Sequence, residues 1–239
     1  MTLAIFDLDN TLIAGDSDYL WGQYLVDQGL VDRNAYEEAN ARFYEDYQQG
    51  RLNIAEFLAF ALKPLASHDA ETLFAWRAAF IQQNIKPILL PAARELIERH
   101  RAAGDTLMII TATNGFVTEP IASLYGIDHL LATTPEFREG RYTGRYEGVP
   151  CFQSGKVTRL DEWLDKHGHD LSGSWFYSDS HNDLPLLERV THPVAVDPDA
   201  RLKQYAEERG WPILSLRGGA CPDYHLERIT LRGHPFRIK

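Results

Sequence analysis

The tightest constraint on this chain is the passage from Leu3-Ala4-Ile5-Phe6 into Asp7-Leu8-Asp9-Asn10-Thr11. A short apolar run of this kind reads as a buried strand of a parallel sheet. Two carboxylates, two residues apart, then stand at its carboxyl end. In an open α/β sheet that edge is where ligands bind. Carboxylates are costly to bury unless they are paired or hold a metal. The placement therefore points to a hard cation, with one carboxylate left for chemistry on phosphate.

The pattern after this strand changes twice. From about Asp16 to Ile85 it is helical, with Tyr19, Leu20, Tyr24 and Leu25 recurring at helical spacing and Phe57, Leu58, Ala61, Leu62 and Leu65 doing the same. Asp69 is an expected N-cap for the last of these helices. From Pro91 helices alternate with strands: a helix to Ala103, a strand over Thr106–Ile110, a helix over Phe116–Tyr125 and a short strand near His129. A hairpin follows in Thr134–Phe152, with turns at Glu139-Gly140 and Glu147-Gly148. A helix over Val157–His167, a strand over Trp175–Ser178, a helix over Leu184–Val190, a strand over Pro193–Val196 and a helix over Ala200–Glu208 complete it. Such alternation predicts an α/β fold with a doubly wound parallel sheet. The expected division is a core of 1–14 and 86–216, a helical-bundle cap of 15–85, and a basic tail of 217–239 read as a surface strand or packed segment.

At 239 residues the chain can bury a large core, and its 44% hydrophobic and 24% charged residues are those of a globular protein. A net charge of -10 argues against a nucleic-acid partner. Cys151 and Cys221 have no metal-like spacing and read as free thiols of a reducing cytosol. No run is long enough for a membrane span, and no signal peptide is evident, so a cytoplasmic enzyme without a membrane partner is expected, as monomer or homodimer.

Four segments carry candidate chemistry. Asp7 is the candidate nucleophile, able to attack phosphorus and form an aspartyl-phosphate. Asp9 is placed as general acid, then base. Two carboxylates beside a phosphate repel it, so a divalent cation such as Mg²⁺ is needed. Thr111, with Ala112 and Asn114 before the next helix, offers a hydroxyl and backbone N–H groups to a phosphate; the plain alternative is a helix cap. Lys156, at a helix start, is a cation for the phosphate or a solvated surface residue. Asp179, ending an apolar strand, is a further metal ligand. Asp183 binds a metal-held water or fixes Lys156, and Asn182 beside it is a candidate substrate contact.

In order and spacing these segments resemble the haloacid dehalogenase superfamily of phosphohydrolases. Asp7-x-Asp9-x-Thr11 matches its first motif, Thr111 its second, Lys156 its third and Asp179-x-x-x-Asp183 its fourth. The resemblance implies Mg²⁺ held by the Asp7 carboxylate, the Asp9 backbone carbonyl and Asp179, beneath a cap that closes over the site. The chain is most similar to subfamily IB, the phosphoserine-phosphatase-like branch. That branch holds its substrate amine with a Glu nine residues after the nucleophile, where this chain has Asp16, and the substrate carboxylate with a cap Arg. Counting eleven residues from Gly50 gives Ala61 in place of that Arg. The expected substrate is then a small phosphorylated metabolite with an amine and no carboxylate. L-Histidinol phosphate, whose imidazole could stack on a cap aromatic, leads over phosphoserine; a phosphotransferase using the same phosphoenzyme is the other alternative.

Overall fold

The computed structural model describes residues 2–218. Strand β1 (Leu3–Phe6) is followed by five helices, α1 (Ser17–Asp27), α2 (Arg33–Gln48), α3 (Ile54–Ala61), α4 (Lys63–Ala66) and α5 (Ala70–Phe80). Then come α6 (Pro91–Ala102), β2 (Thr106–Asn114), α7 (Gly115–Leu124), β3 (His129–Arg138) and β4 (Arg141–Glu147). The chain continues through α8 (Ser154–His167), β5 (Trp175–Ser178), α9 (Leu184–Leu187), β6 (His192–Val196), α10 (Ala200–Arg209) and β7 (Ile213–Leu214).

All seven strands form one sheet in the order β4-β3-β2-β1-β5-β6-β7. Every neighbouring pair is parallel except β3–β4. This is the expected doubly wound architecture. β1 lies at the centre between β2 and β5, so Asp7, Thr111 and Asp179 emerge side by side at the edge where the strand order reverses. On one face Phe6 stacks on Tyr177 at 5.2 Å and meets His100 edge-on. On the other, Leu3, Ile5, Met108 and Phe176 form a second fully buried cluster.

Four of the helices between β1 and β2 start where side-chain caps satisfy their first amides. Asp16, Asp32, Asn53 and Asp69 cap α1, α2, α3 and α5, Asp69 as expected. This cap joins the core in two unlike ways. On one side Trp21 of α1 packs against Phe116 of α7 at 5.6 Å, within one continuous apolar cluster. On the other side the joint is polar. Asn182 Nδ2 donates to the Tyr47 carbonyl at 3.2 Å, and Arg201 Nη1 to the Gln49 carbonyl at 3.0 Å.

Several boundaries differ from the sequence reading. β2 runs four residues past Ile110, across a register irregularity between Ile110 and Asn114. The extra residues stay extended because their polar groups are engaged: the Thr111 and Thr113 hydroxyls bond Asp9, and Thr133 Oγ1 donates to the Ala112 carbonyl. β3 is longer than the short strand expected near His129, because it leaves β2 after Thr133 and pairs with β4 from Thr134. The hairpin turns at Glu139-Gly140, both at positive φ as a type I′ turn requires. The helix expected over Leu184–Val190 stops at Leu187 and is entered through a 3₁₀ turn, His181–Asp183. The basic tail, past Gly218, and Cys221 lie outside the described residues; Cys151 is a buried free thiol. No helix among the described residues is long and apolar enough to cross a membrane.

Candidate active site

The first turn of α8 swings Lys156 under the end of β1. Gly155 makes this possible: a Cβ there would sit 2.0 Å from the Pro150 carbonyl oxygen. The preceding Gln153 is held at φ 47°, a region side-chain-bearing residues rarely adopt, and donates from Nε2 to Asn182 Oδ1 at 2.9 Å. Lys156 is 3% exposed. Its Nζ donates to Asp7 Oδ1 at 2.8 Å and lies 2.7 and 2.8 Å from the two oxygens of Asp183. Ser178 Oγ completes Asp183 at 2.7 Å. Of the two expectations for Asp183, the structure shows the contact with Lys156.

Asp9 is oriented from two sides. Its Oδ1 accepts the Ser17 N–H at 2.6 Å, at the amino end of α1. Its Oδ2 accepts the hydroxyls of Thr113 at 2.8 Å and Thr111 at 3.3 Å. A cap helix and a core strand thus hold the same carboxylate. Burial, reinforced by the charge of Asp16, raises its carboxyl to about 6. Asp7 is pushed up to about 7, by burial first; Lys156 lowers it, and Asp183 and Asp9 raise it. Lys156 is itself held above its usual value, because Asp183 and Asp7 outweigh its burial. Both partners rise because one ammonium is shared by two carboxylates and cannot fully offset the burial of Asp7.

The donor set fits a hard cation. Thr11 Oγ1 lies 3.4 Å from Asp7 Oδ2 and 3.3 Å from Asp179 Oδ1, so two carboxylates face one hydroxyl between them. Lys156 is spent on the other oxygen of Asp7. Burial and then repulsion from Asp7 and Asp183 drive the Asp179 carboxyl well above its usual range. A divalent ion would relieve that repulsion. Among the described residues no three acidic, imidazole or thiol groups gather into an all-side-chain metal cage. Mg²⁺ does not require one, since it binds through one or two carboxylates, waters and substrate phosphate.

Above these residues a cavity of about 690 Å³, including its open mouth, separates core from cap. Thr111, Ala112 and Asn182 line it. Asp16 lines it while capping α1, accepting the N–H groups of Asp18 and Tyr19. Asn114 is set back from the wall and donates from Nδ2 to Asp18 Oδ1 at 3.4 Å. Ala61 is also absent from the wall: it is buried inside α3, and Leu52, Ile54 and Phe57 line the cavity from that part of the chain. The residue count to Ala61 therefore misplaces the position. The cavity itself supplies the relevant observation, since Lys156 is the one basic side chain lining it among the described residues.

Four participants escaped the sequence reading: Ser17, Asp18, Thr113 and Tyr47, whose hydroxyl donates to Ser180 Oγ at 3.3 Å. Thr113 was findable, standing one strand period from Thr111 and so on the same face. Tyr47 was not, because its position depends on how the cap docks.

Comparison with known proteins agrees with this geometry. Residues 4–188 match the family described as haloacid dehalogenase-like hydrolase. The chain is 48% identical over 219 residues to a protein named histidinol-phosphatase from Neisseria meningitidis, covering 90% of this chain and 99% of that one. Among solved structures, a Bordetella pertussis protein of unknown function superposes with a TM-score of 0.85 at 44% identity, covering 90% of this chain and all of that one. A phospho-aspartyl intermediate analogue of phosphoserine phosphatase shares the fold, with a TM-score of 0.67 at 18% identity over 90% of this chain and 93% of that one. The chain belongs to the haloacid dehalogenase-like hydrolases, as a phosphatase.

Proposed function

We propose that this phosphatase is a Mg²⁺-dependent phosphomonoesterase that works through an aspartyl-phosphate and takes L-histidinol phosphate as its substrate. The observation that carries the substrate reading is the cavity. Beyond the phosphate end it offers the acids Asp16 and Asp18 and the rings of Tyr19, Tyr44 and Phe57, and, among the described residues, no free cation. An amine-bearing, aromatic leaving group complements such a wall. A phosphoserine carboxylate would enter it unpaired, which costs several kcal/mol, of order 3–5, for a buried charge. The similarity to the Neisseria histidinol-phosphatase supports the same reading.

Asp7 attacks phosphorus through the carboxylate oxygen that does not face Asp179, and the bond from phosphorus to the leaving alcohol breaks. Asp9, with its carboxyl raised to about 6, gives its proton to that alcohol. It then takes a proton from the water that cleaves the acyl phosphate, returning inorganic phosphate and free Asp7. Lys156 holds Asp7 in place and offsets charge on the transferring group, and Thr111 offers its hydroxyl to a phosphate oxygen. Asp7, Asp179 and the Asp9 carbonyl would hold Mg²⁺, which when bound balances the charge of carboxylates and phosphate. A panel of phosphorylated metabolites, assayed with Mg²⁺ and with excess EDTA, tests the proposal. Full activity in EDTA overturns the metal requirement, and a preference for phosphoserine overturns the substrate.

A further inference from the structure

Asp16 and Asp18 both line the cavity, but they are differently committed. Asp16 Oδ1 accepts two amides of α1, at 3.0 and 2.9 Å, so this carboxylate is fixed by the helix it caps. Asp18 receives one long bond, 3.4 Å, from Asn114 Nδ2. Asn114 is 3% exposed, and its own Oδ1 has no hydrogen-bond partner. A buried amide half-satisfied beside a half-buried acid is expensive. Burial, with repulsion from Asp16 and Asp9, also drives the Asp18 carboxyl well above its usual range. Nothing in the fold demands this. Asp18 is not the N-cap of α1, and the polar pair Asp18–Asn114 crosses from cap to core beside the contact of Trp21 with Phe116. Next to Asp18, Tyr19 and Tyr44 stand 5.4 Å apart and remain more than a third exposed, leaving their faces open at the cavity wall.

We propose that Asp18, positioned by Asn114, determines specificity by accepting a second, ring-borne N–H of the leaving group, while Asp16 takes its aliphatic amine. The inference rests on the substrate reading above and narrows it to leaving groups with two separated nitrogen donors, one in a flat ring. The pairing is electrostatically consistent: two acids face two cationic or donor nitrogens, and the rings of Tyr19 and Tyr44 supply a stacking surface. The alternative is that Asp18 is only a first-turn acid of α1, favoured there by the helix dipole.

The test uses the leaving alcohols as competitive inhibitors of p-nitrophenyl phosphate hydrolysis by the Mg²⁺-loaded protein. L-Histidinol carries amine and ring; ethanolamine carries the amine alone. Asp18→Asn is expected to raise the inhibition constant for L-histidinol by roughly 10- to 100-fold, the range for losing a hydrogen bond to a charged group. The constant for ethanolamine should move less than threefold. Asn114→Ala, which frees Asp18 from its amide, should shift the L-histidinol constant in the same direction by a smaller factor and keeps the question open to test if Asp18→Asn does not fold. Equal shifts for both alcohols, or none for either, overturn the assignment and leave Asp18 a helix-end acid. If L-histidinol phosphate proves not to be hydrolysed while the selective shift appears, the substrate reading fails and the role of Asp18 stands.

Discussion

The Lys156 ammonium lies 2.8 Å from Asp7 Oδ1, buried in a site whose other charges, among the described residues, are all negative. Replacing it with Met leaves Asp7 and Asp183 unpaired, and breaking a buried pair from one side costs about 3–5 kcal/mol. Lys156→Met should therefore lower both Tm and kcat/KM, read by calorimetry and by steady-state kinetics. A variant with wild-type Tm would show that the carboxylates do not depend on this contact.

Asp7 titrates at about 7 in the folded chain and in the normal range, 3.8, when unfolded. A raised folded value means stability that is present below the unfolded value and is lost as pH rises through the folded one. In metal-free protein, Asp7→Asn should match wild type near pH 4 and become progressively more stable than it up to about pH 7. The difference is then constant, on the order of 2–4 kcal/mol. Denaturant titrations in EDTA at several pH values measure it. A difference independent of pH would refute the ionisation of a strained buried carboxylate. The same variant should have no turnover.

Asp9 should matter most where the leaving group is a poor one. Asp9→Asn is expected to lower kcat about 10²–10⁴-fold on an alkyl phosphate. On p-nitrophenyl phosphate, whose leaving group needs no proton, the phosphorylation step should survive while hydrolysis of the phosphoenzyme slows. Stopped flow should then show a burst of p-nitrophenolate close to one per active site. Equal kcat for wild type and variant on the alkyl ester would remove Asp9 from proton transfer.

Substrate choice should follow the anionic wall. kcat/KM should be higher for L-histidinol phosphate than for phosphoserine, and Asp16→Ala should raise KM for the former more than for a simple aryl phosphate. Because Asp16 also caps α1, the variant should lose about 1 kcal/mol of stability as well. Equal loss on both esters would mean that capping is all Asp16 does.

Much of this was legible in the sequence because it is carried by short-range chemistry. Apolar runs such as Leu3–Phe6 and Trp175–Ser178 can only be buried strands, and the acids that follow them must lie at one sheet edge. Of the cap aromatics, Trp21 and Phe43 are buried, whereas Tyr19 and Tyr44 stay more than a third exposed at the cavity. The count to Ala61 failed because register within a cap is set by tertiary packing rather than by spacing from Gly50. Asp18 looked like any first-turn acid. Only docking of α1 onto the end of β2 places it against Asn114.

The unlike joints of the cap govern how solvent reaches the phosphoenzyme. Parting Trp21 from Phe116 would expose aromatic surface at about 1.5–3 kcal/mol for each buried ring. Releasing Asn182 from the Tyr47 carbonyl and Arg201 from the Gln49 carbonyl exchanges hydrogen bonds for water at about 1 kcal/mol each. Breathing of the enclosure is therefore one-sided, pivoting on rings and parting at carbonyls. Amide protons of the turn around Gly50 should exchange faster than those in the middle of α1, and the leaving alcohol should depart past Tyr47 while phosphorus is still bonded to the protein.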